Sequence, residues 1–247
     1  MIRTMIFDLD GTLVQTERLK AISYAKAVVE LCPHEVSEEQ VIEAFKEVVG
    51  LSRQQVAQTL VDDFSLESKA RARMAEFGVN SDWQAFIQVR LQHYEALLAD
   101  PQVLLENRWP HNLALLEEAR QVECKTGLAT MSTCKQAQRI LTILNLAAEF
   151  DFIATRDDVE HGKPDPEIYT LVASELSTTP PECLVIEDSP AGVQAALAAG
   201  MWCIAVTTPF THDAIHAKQL LDERWVVDDP DKLLSVVQQM ITERDND

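Results

Sequence analysis

The chain of 247 residues predicts an α/β fold: a parallel sheet with a block of helices inserted after its first strand. Three observations predict it. A short apolar run, TMIFD at Thr4–Asp8, ends in a turn-forming Asp-Gly-Thr. From about Glu17 to Ala99 the apolar residues recur at helical spacing. From Asn112 onward, short apolar runs alternate with helical patterns of about 10 residues, the signature of strands covered by helices on both faces.

The elements follow in order. TMIFD is apolar up to its closing acid, as a strand buried on both faces must be. In the next block, Val41, Phe45, Val48 and Val49, then Trp83, Phe86, Ile87 and Leu91, outline about four helices packed on one another. The basic run at Lys69–Arg73 reads as a solvated helix face. After Asp100-Pro101 the expected order is helix Asn112–Val122, strand Thr126–Thr130, helix Lys135–Leu146, strand Phe150–Ala154 and helix Pro166–Ser177. Strand Cys183–Glu187, helix Ala191–Ala199, strand Cys203–Val206, strand Trp225–Val227 and helix Asp231–Thr242 complete it. The insertion is expected to join the sheet domain near Val14–Thr16 and Asp100–Pro110, giving a core of residues 1–15 and 105–247 and a helical domain of residues 16–104.

Composition narrows the function. A net charge of -19 repels nucleic acid and anionic membranes, so neither is an expected partner. The first ten residues lack the form of a signal peptide, and no stretch of about 18 apolar residues predicts a membrane span. Five scattered cysteines without a CxxC pair fit a reduced, cytoplasmic setting and read as small buried hydrophobes. With no apolar repeat in evidence, a monomer or weak dimer is expected.

In an open parallel sheet, ligands gather beyond the carboxyl ends of the strands. Asp8, Asp10, Gly11 and Thr12 follow the first expected strand, and Thr130 and Ser132 the second. Gly162-Lys163-Pro164-Asp165 comes after the third, and Glu187-Asp188-Ser189 closes the fourth. Asp8 and Asp10 are two apart, so an extended backbone points them to one side. Clustered carboxylates cannot all remain ionised and unpaired, and a hard cation such as Mg²⁺ resolves the conflict. Thr130 offers a hydroxyl, and Lys163 a point charge, to a phosphate group. His212 and His216, four apart, read as an exposed helix face because no third metal ligand stands out.

DLDGT at 8–12, Thr130, Lys163 within GKPDPEIY and EDSPAG at 187–192, in that order, resemble the motifs of the haloacid dehalogenase superfamily over essentially the whole chain. The resemblance implies a Rossmann-like core with an inserted helical cap. It implies that Asp8 attacks phosphorus to form an aspartyl phosphate, with Asp10 as acid and base, while Thr130 and Lys163 steady the transferring group. Asp8, the carbonyl of Asp10, Asp188 and Glu187 would hold Mg²⁺. Asp10 sets the chain apart from the dehalogenase and phosphonate-cleaving branches, which lack it.

Within the superfamily the chain is most similar to β-phosphoglucomutase and the sugar-phosphate phosphatases around it. Gly50-Leu51-Ser52-Arg53 matches a G-x-S-R loop whose Arg grips a phosphate, and Ser132 matches a substrate-side position. Gln15, Lys20 and Val49 stand where the mutase has Asp, His and Lys. A mutase must protect its aspartyl phosphate from water, and the missing His weakens that reading. The expectation is therefore a Mg²⁺-dependent phosphatase of a small phosphorylated metabolite, probed in its cap by Lys20 and Arg53. A phosphomutase is the alternative within the enzymes, and a catalytically silent binding or regulatory module the alternative outside them.

Overall fold

A computed structural model describes residues 1–49 and 53–245. The chain folds as two compact units, Met1–Gln15 with Leu104–Asp247, and Thr16–Val103.

The first unit is built on six parallel strands: β1 Thr4–Phe7, β2 Lys125–Ala129, β3 Phe152–Ala154, β4 Cys183–Glu187, β5 Trp202–Val206 and β6 Val226–Val227. Their order across the sheet is β3-β2-β1-β4-β5-β6. Thr4 to Phe7 pair with Lys125 to Leu128 on one side and with Cys183 to Ile186 on the other, so β1 is central and every residue of it is buried. That double burial is why TMIF needs no polar position. The strand order reverses direction between β1 and β4, which makes their carboxyl ends the switch point where ligands collect.

The helices come in the order that the apolar periodicity predicts. In the helical unit lie α1 Thr16–Leu31, α2 Glu38–Lys46, α3 Arg53–Asp63, α4 Glu67–Ala72, α5 Met74–Phe77 and α6 Asp82–Ala99, and α7 Pro101–Glu106 leads out of it. The sheet unit then carries α8 Pro110–Gln121, α9 Cys134–Leu144, α10 Glu167–Glu175, α11 Pro190–Ala198, α12 His212–Lys218 and α13 Leu233–Asp245. On one face of the sheet, Ile6, Ala129 and Val185 pack with Ile168, Tyr169 and Val172 of α10 and Val193 and Ala196 of α11. Two backbone hydrogen bonds, Gln15 N–H to Asn107 O (2.7 Å) and Trp109 N–H to Leu13 O (3.0 Å), tie the outgoing chain to the returning one.

Six helices are described in the helical unit where about four were expected. The extra ones are α4 and α5, single-turn and near-single-turn pieces too short to show a helical period. Tyr24 of α1 anchors this unit, stacked on Phe45 of α2 at 5.3 Å and tilted against Phe86 of α6 at 5.8 Å. Ser37 starts α2 with a capping box, its hydroxyl accepting from Gln40 N–H at 3.3 Å while Gln40 Oε1 accepts from Ser37 N–H at 2.9 Å. The five cysteines are free thiols. Among the described residues, no helix is long and apolar enough to cross a membrane.

Gly127 of β2 has no room for a side chain, because a Cβ there would strike Val172 of α10. Gly127→Ala is expected to destabilise the fold by about 1–3 kcal/mol through overpacking. Thermal denaturation measures this, and an unchanged Tm would refute so close an approach of α10.

Candidate active site

Asp8 is the first residue past β1, and its N–H donates to Ile186 O of β4 at 3.0 Å, which extends the strand pairing by one step. Its side chain is buried. The Lys163 ammonium, itself buried, donates to Asp8 Oδ1 at 2.7 Å, to Glu187 Oε1 at 2.6 Å and to Ala129 O at 2.9 Å. Three protons thus meet three acceptors, one from each of the ends of β1, β4 and β2. Tyr169 of α10 packs its ring 4.8 Å from the same ammonium and donates its hydroxyl to Glu187 Oε1 at 2.8 Å.

Glu187 and Asp188 are adjacent yet point in different directions, because successive side chains at a strand end alternate. Glu187 Oε2 accepts from the N–H groups of Asp188 (2.9 Å) and Ser189 (3.0 Å) and from the Ser189 hydroxyl (3.1 Å). With Lys163 and Tyr169 on its other oxygen, five donors converge on Glu187. Asp188 instead approaches Gly11, whose φ of +92° suits glycine and where any Cβ would collide with the Asp188 carboxylate.

Asp10 lies two residues beyond Asp8. Its Oδ2 accepts from the Thr130 hydroxyl at 3.0 Å and the Ser132 hydroxyl at 2.7 Å, and Ser132 N–H closes the loop by donating to Thr130 Oγ1 at 3.0 Å. The structure therefore brings Asp8, Asp10, Thr130, Ser132, Lys163, Glu187 and Asp188 to the carboxyl edge of the sheet.

Charge is unbalanced there. Carboxylate oxygens of Asp8, Glu187 and Asp188, all buried, lie within 4.8 Å of one another, with one buried ammonium among them. Burial pushes the Asp8 carboxyl up to about 8; the nearby Lys163 lowers it in part, while Glu187 and Asp10 raise it further. Burial also works against the charged forms of Glu187 and Lys163. Lys163 nonetheless holds Glu187 below the usual carboxylate range, and Asp8 and Glu187 together hold Lys163 above the usual lysine range. Such an oxygen-rich group with surplus negative charge could hold a hard divalent cation such as Mg²⁺.

The remaining expected residues belong to the helical unit. Lys20 is ion-paired to Glu17 at 2.6 Å within α1. Arg53 is the first residue of α3, and Gly50, Leu51 and Ser52 of the G-x-S-R match lie outside the described residues. Arg90 belongs to none of the sequence motifs. This α6 residue is only 6% exposed, and its guanidinium lies 4.9 Å from the Tyr24 ring and 4.5 Å from the Tyr94 ring. Its Nε has no hydrogen-bond partner among the described residues. The one signal of it in the sequence is its place in the row Phe86, Arg90, Tyr94, a charge on the stripe that α6 buries.

Comparison with known proteins accords with this geometry. Residues 5–206 match the family of haloacid dehalogenase-like hydrolases. The chain belongs to that family. It is 29% identical, over 91% of its own length and 97% of the relative's, to the validoxylamine A 7'-phosphate phosphatase of Streptomyces hygroscopicus subsp. limoneus. It is also 29% identical, over 96% and 99%, to the phosphorylated carbohydrates phosphatase of Thermotoga maritima. The β-phosphoglucomutase structure from Clostridium difficile shares its fold, with a TM-score of 0.67 at 22% identity over 98% of each chain.

The raised Asp8 carboxyl has a consequence for stability. In the unfolded chain Asp8 ionises near 3.8, whereas in the folded, cation-free site it keeps its proton up to about 8. Folding takes up a proton in that window, so the Asp8 contribution is favourable at low pH and is lost as pH rises toward 8. In EDTA, Asp8→Asn is expected to flatten this slope and to raise Tm at the upper end by about 2–4 °C. Thermal melts of both proteins across the window test it, and parallel slopes would refute it.

Proposed function

We propose that the protein is a Mg²⁺-dependent phosphatase of a small phosphorylated metabolite, most simply a sugar phosphate. The observation that supports this best is Asp8, buried and fixed by Lys163 at 2.7 Å, with Asp10 held two residues on by Thr130 and Ser132. The two phosphatase relatives, one of them named for phosphorylated carbohydrates, point the same way.

In this reading Asp8, Asp188 and the backbone carbonyl of Asp10 are the groups that would hold the cation. Glu187, occupied by five donors, positions Lys163 instead. When bound, the cation supplies charge neutralisation for the phosphate oxygens and for Asp8. Asp8 attacks phosphorus as the bond to the ester oxygen breaks, and Asp10 gives its proton to the departing alkoxide. Lys163 stays in place and offsets charge on the transferring group. Water then attacks the acyl phosphate, Asp10 takes back a proton, and Asp8 is regenerated with release of inorganic phosphate. A water acceptor fits Lys20 standing, paired to Glu17, where the mutase carries a His.

One observation favours a second reading, a phosphomutase. Arg90 is a buried guanidinium with an Nε unpartnered among the described residues, and the field of Arg53 reaches it. A cation buried at such cost suits a substrate with a second anionic group.

Phosphate release from p-nitrophenyl phosphate and a panel of sugar phosphates tests the first reading. Activity is expected with Mg²⁺ and not with EDTA. Asp8→Asn is expected to lower kcat by at least about 10³-fold and Asp10→Asn by about 10²–10⁴-fold. No turnover on any ester would overturn it. Conversion of β-glucose 1-phosphate, with a trace of the bisphosphate, into glucose 6-phosphate without free phosphate would establish the mutase. Arg90→Met is expected to raise KM about tenfold or more for substrates with a second anion, and to leave p-nitrophenyl phosphate KM within about twofold.

A further inference from the structure

His212 and His216 stand without a third metal ligand in the sequence, and the fold brings the carboxylate of Asp228 beside them. They lie one turn apart on α12, with ring centroids 4.5 Å apart. Asp228, the first residue past β6, is carried to them by the strand order. Its Oδ1 lies 3.0 Å from His216 Nε2 and 3.8 Å from His212 Nε2. All three offer ligand atoms within 4.8 Å of one another.

His216 Nε2 now shares a proton with both Asp228 oxygens, Oδ1 at 3.0 Å and Oδ2 at 3.1 Å, and a metal would take that proton's place. Bonds of about 2.0–2.1 Å to nitrogen and oxygen in a tetrahedral site put its ligand atoms about 3.3 Å apart. The observed 3.0 and 3.8 Å straddle that edge. The outer contacts are those that orient such ligands. His212 Nδ1 faces Asp213 Oδ1 at 2.8 Å, which turns Nε2 toward Asp228, and Thr207 past β5 donates its hydroxyl to Asp228 Oδ1 at 2.8 Å. His212 and Asp228 are exposed and His216 is partly so, which gives an ion an entry path. Two imidazoles and one carboxylate favour a borderline ion over Mg²⁺, which prefers oxygen.

We propose that His212, His216 and Asp228 form a second metal site, for Zn²⁺ or a similar transition-metal dication, separate in residues and in ligand chemistry from the carboxylate group around Asp8. It rests on side-chain ligands and not on the helix terminus.

The test is calorimetric titration of the whole protein with Zn²⁺ in saturating Mg²⁺, alongside melts with and without Zn²⁺. One Zn²⁺ is expected per chain, with a rise in Tm. His212→Ala and His216→Ala are each expected to weaken binding at least about tenfold and to abolish the Tm rise, while leaving the zinc-free Tm and Mg²⁺-dependent activity unchanged. Asp228→Asn, nearly isosteric, gives the same loss without the question of folding. Absence of Zn²⁺ binding by the parent protein in Mg²⁺, or affinity unchanged in both His variants, would overturn the site.

Discussion

The Lys163 ammonium is the constraint on which this sheet edge depends. Its three donated hydrogen bonds end on Asp8, Glu187 and Ala129, each belonging to a different strand end. The contact is made far from water, so its geometry is not negotiable: removing the ammonium would leave the buried Glu187 carboxylate uncompensated, a loss of about 3–5 kcal/mol. Lys163 arrives on the segment between β3 and α10, and α10 in turn brings Tyr169 to the same Glu187 oxygen. Packing of α10 on the sheet and assembly of the site are therefore one event.

The same ammonium also fixes what the site lacks. One positive charge serves Asp8 and Glu187, and Asp188 lies within reach of both. Glu187 is reinforced by four further donors, whereas Asp8 is raised to about 8, first by burial, with Lys163 offsetting only part of it. A site in which a prospective nucleophile is disfavoured as an anion until a cation arrives has its activation tied to ligand binding. The rest of the fold offsets that cost through the apolar burial on both faces of β1.

Much of this was legible in the sequence because it depends on local pattern. Apolar runs mark the strands, and each acidic or hydroxyl group sits at a run's end. The division of labour between Glu187 and Asp188 was not legible. Both are acids next to each other, and only the direction of each side chain shows that five donors meet Glu187 while Asp188 turns toward Gly11. Strand order was equally hidden, since TMIF looks the same at any buried position, and with it the meeting of His212 and His216 with Asp228. Arg90 was obscured by composition: a lone Arg in a polar-looking stretch, QVRLQH, reads as surface until the Tyr24 and Tyr94 rings are seen around it. α4 and α5, of 6 and 4 residues, are too short to repeat the helical period that would reveal them.

Proton accounting at Asp10 bears on the proposed reaction. Two hydroxyls, those of Thr130 and Ser132, donate to one Asp10 oxygen. To act as an acid toward a leaving alkoxide, Asp10 must first gain a proton, and a protonated carboxyl is a weaker acceptor for both donors. Thr130 already accepts from Ser132 N–H, so its hydroxyl can turn away while the loop keeps that backbone bond. An Asp10 that alternates between acid and base in the proposed reaction requires a loop after β2 that tolerates both protonation states. A phosphatase needs that tolerance twice per turnover, once for the alkoxide and once for water, and it needs no device that forbids the second step. A mutase needs the same tolerance and such a device as well. The proposed transfer to water therefore asks less of this sheet edge than transfer to a sugar hydroxyl would.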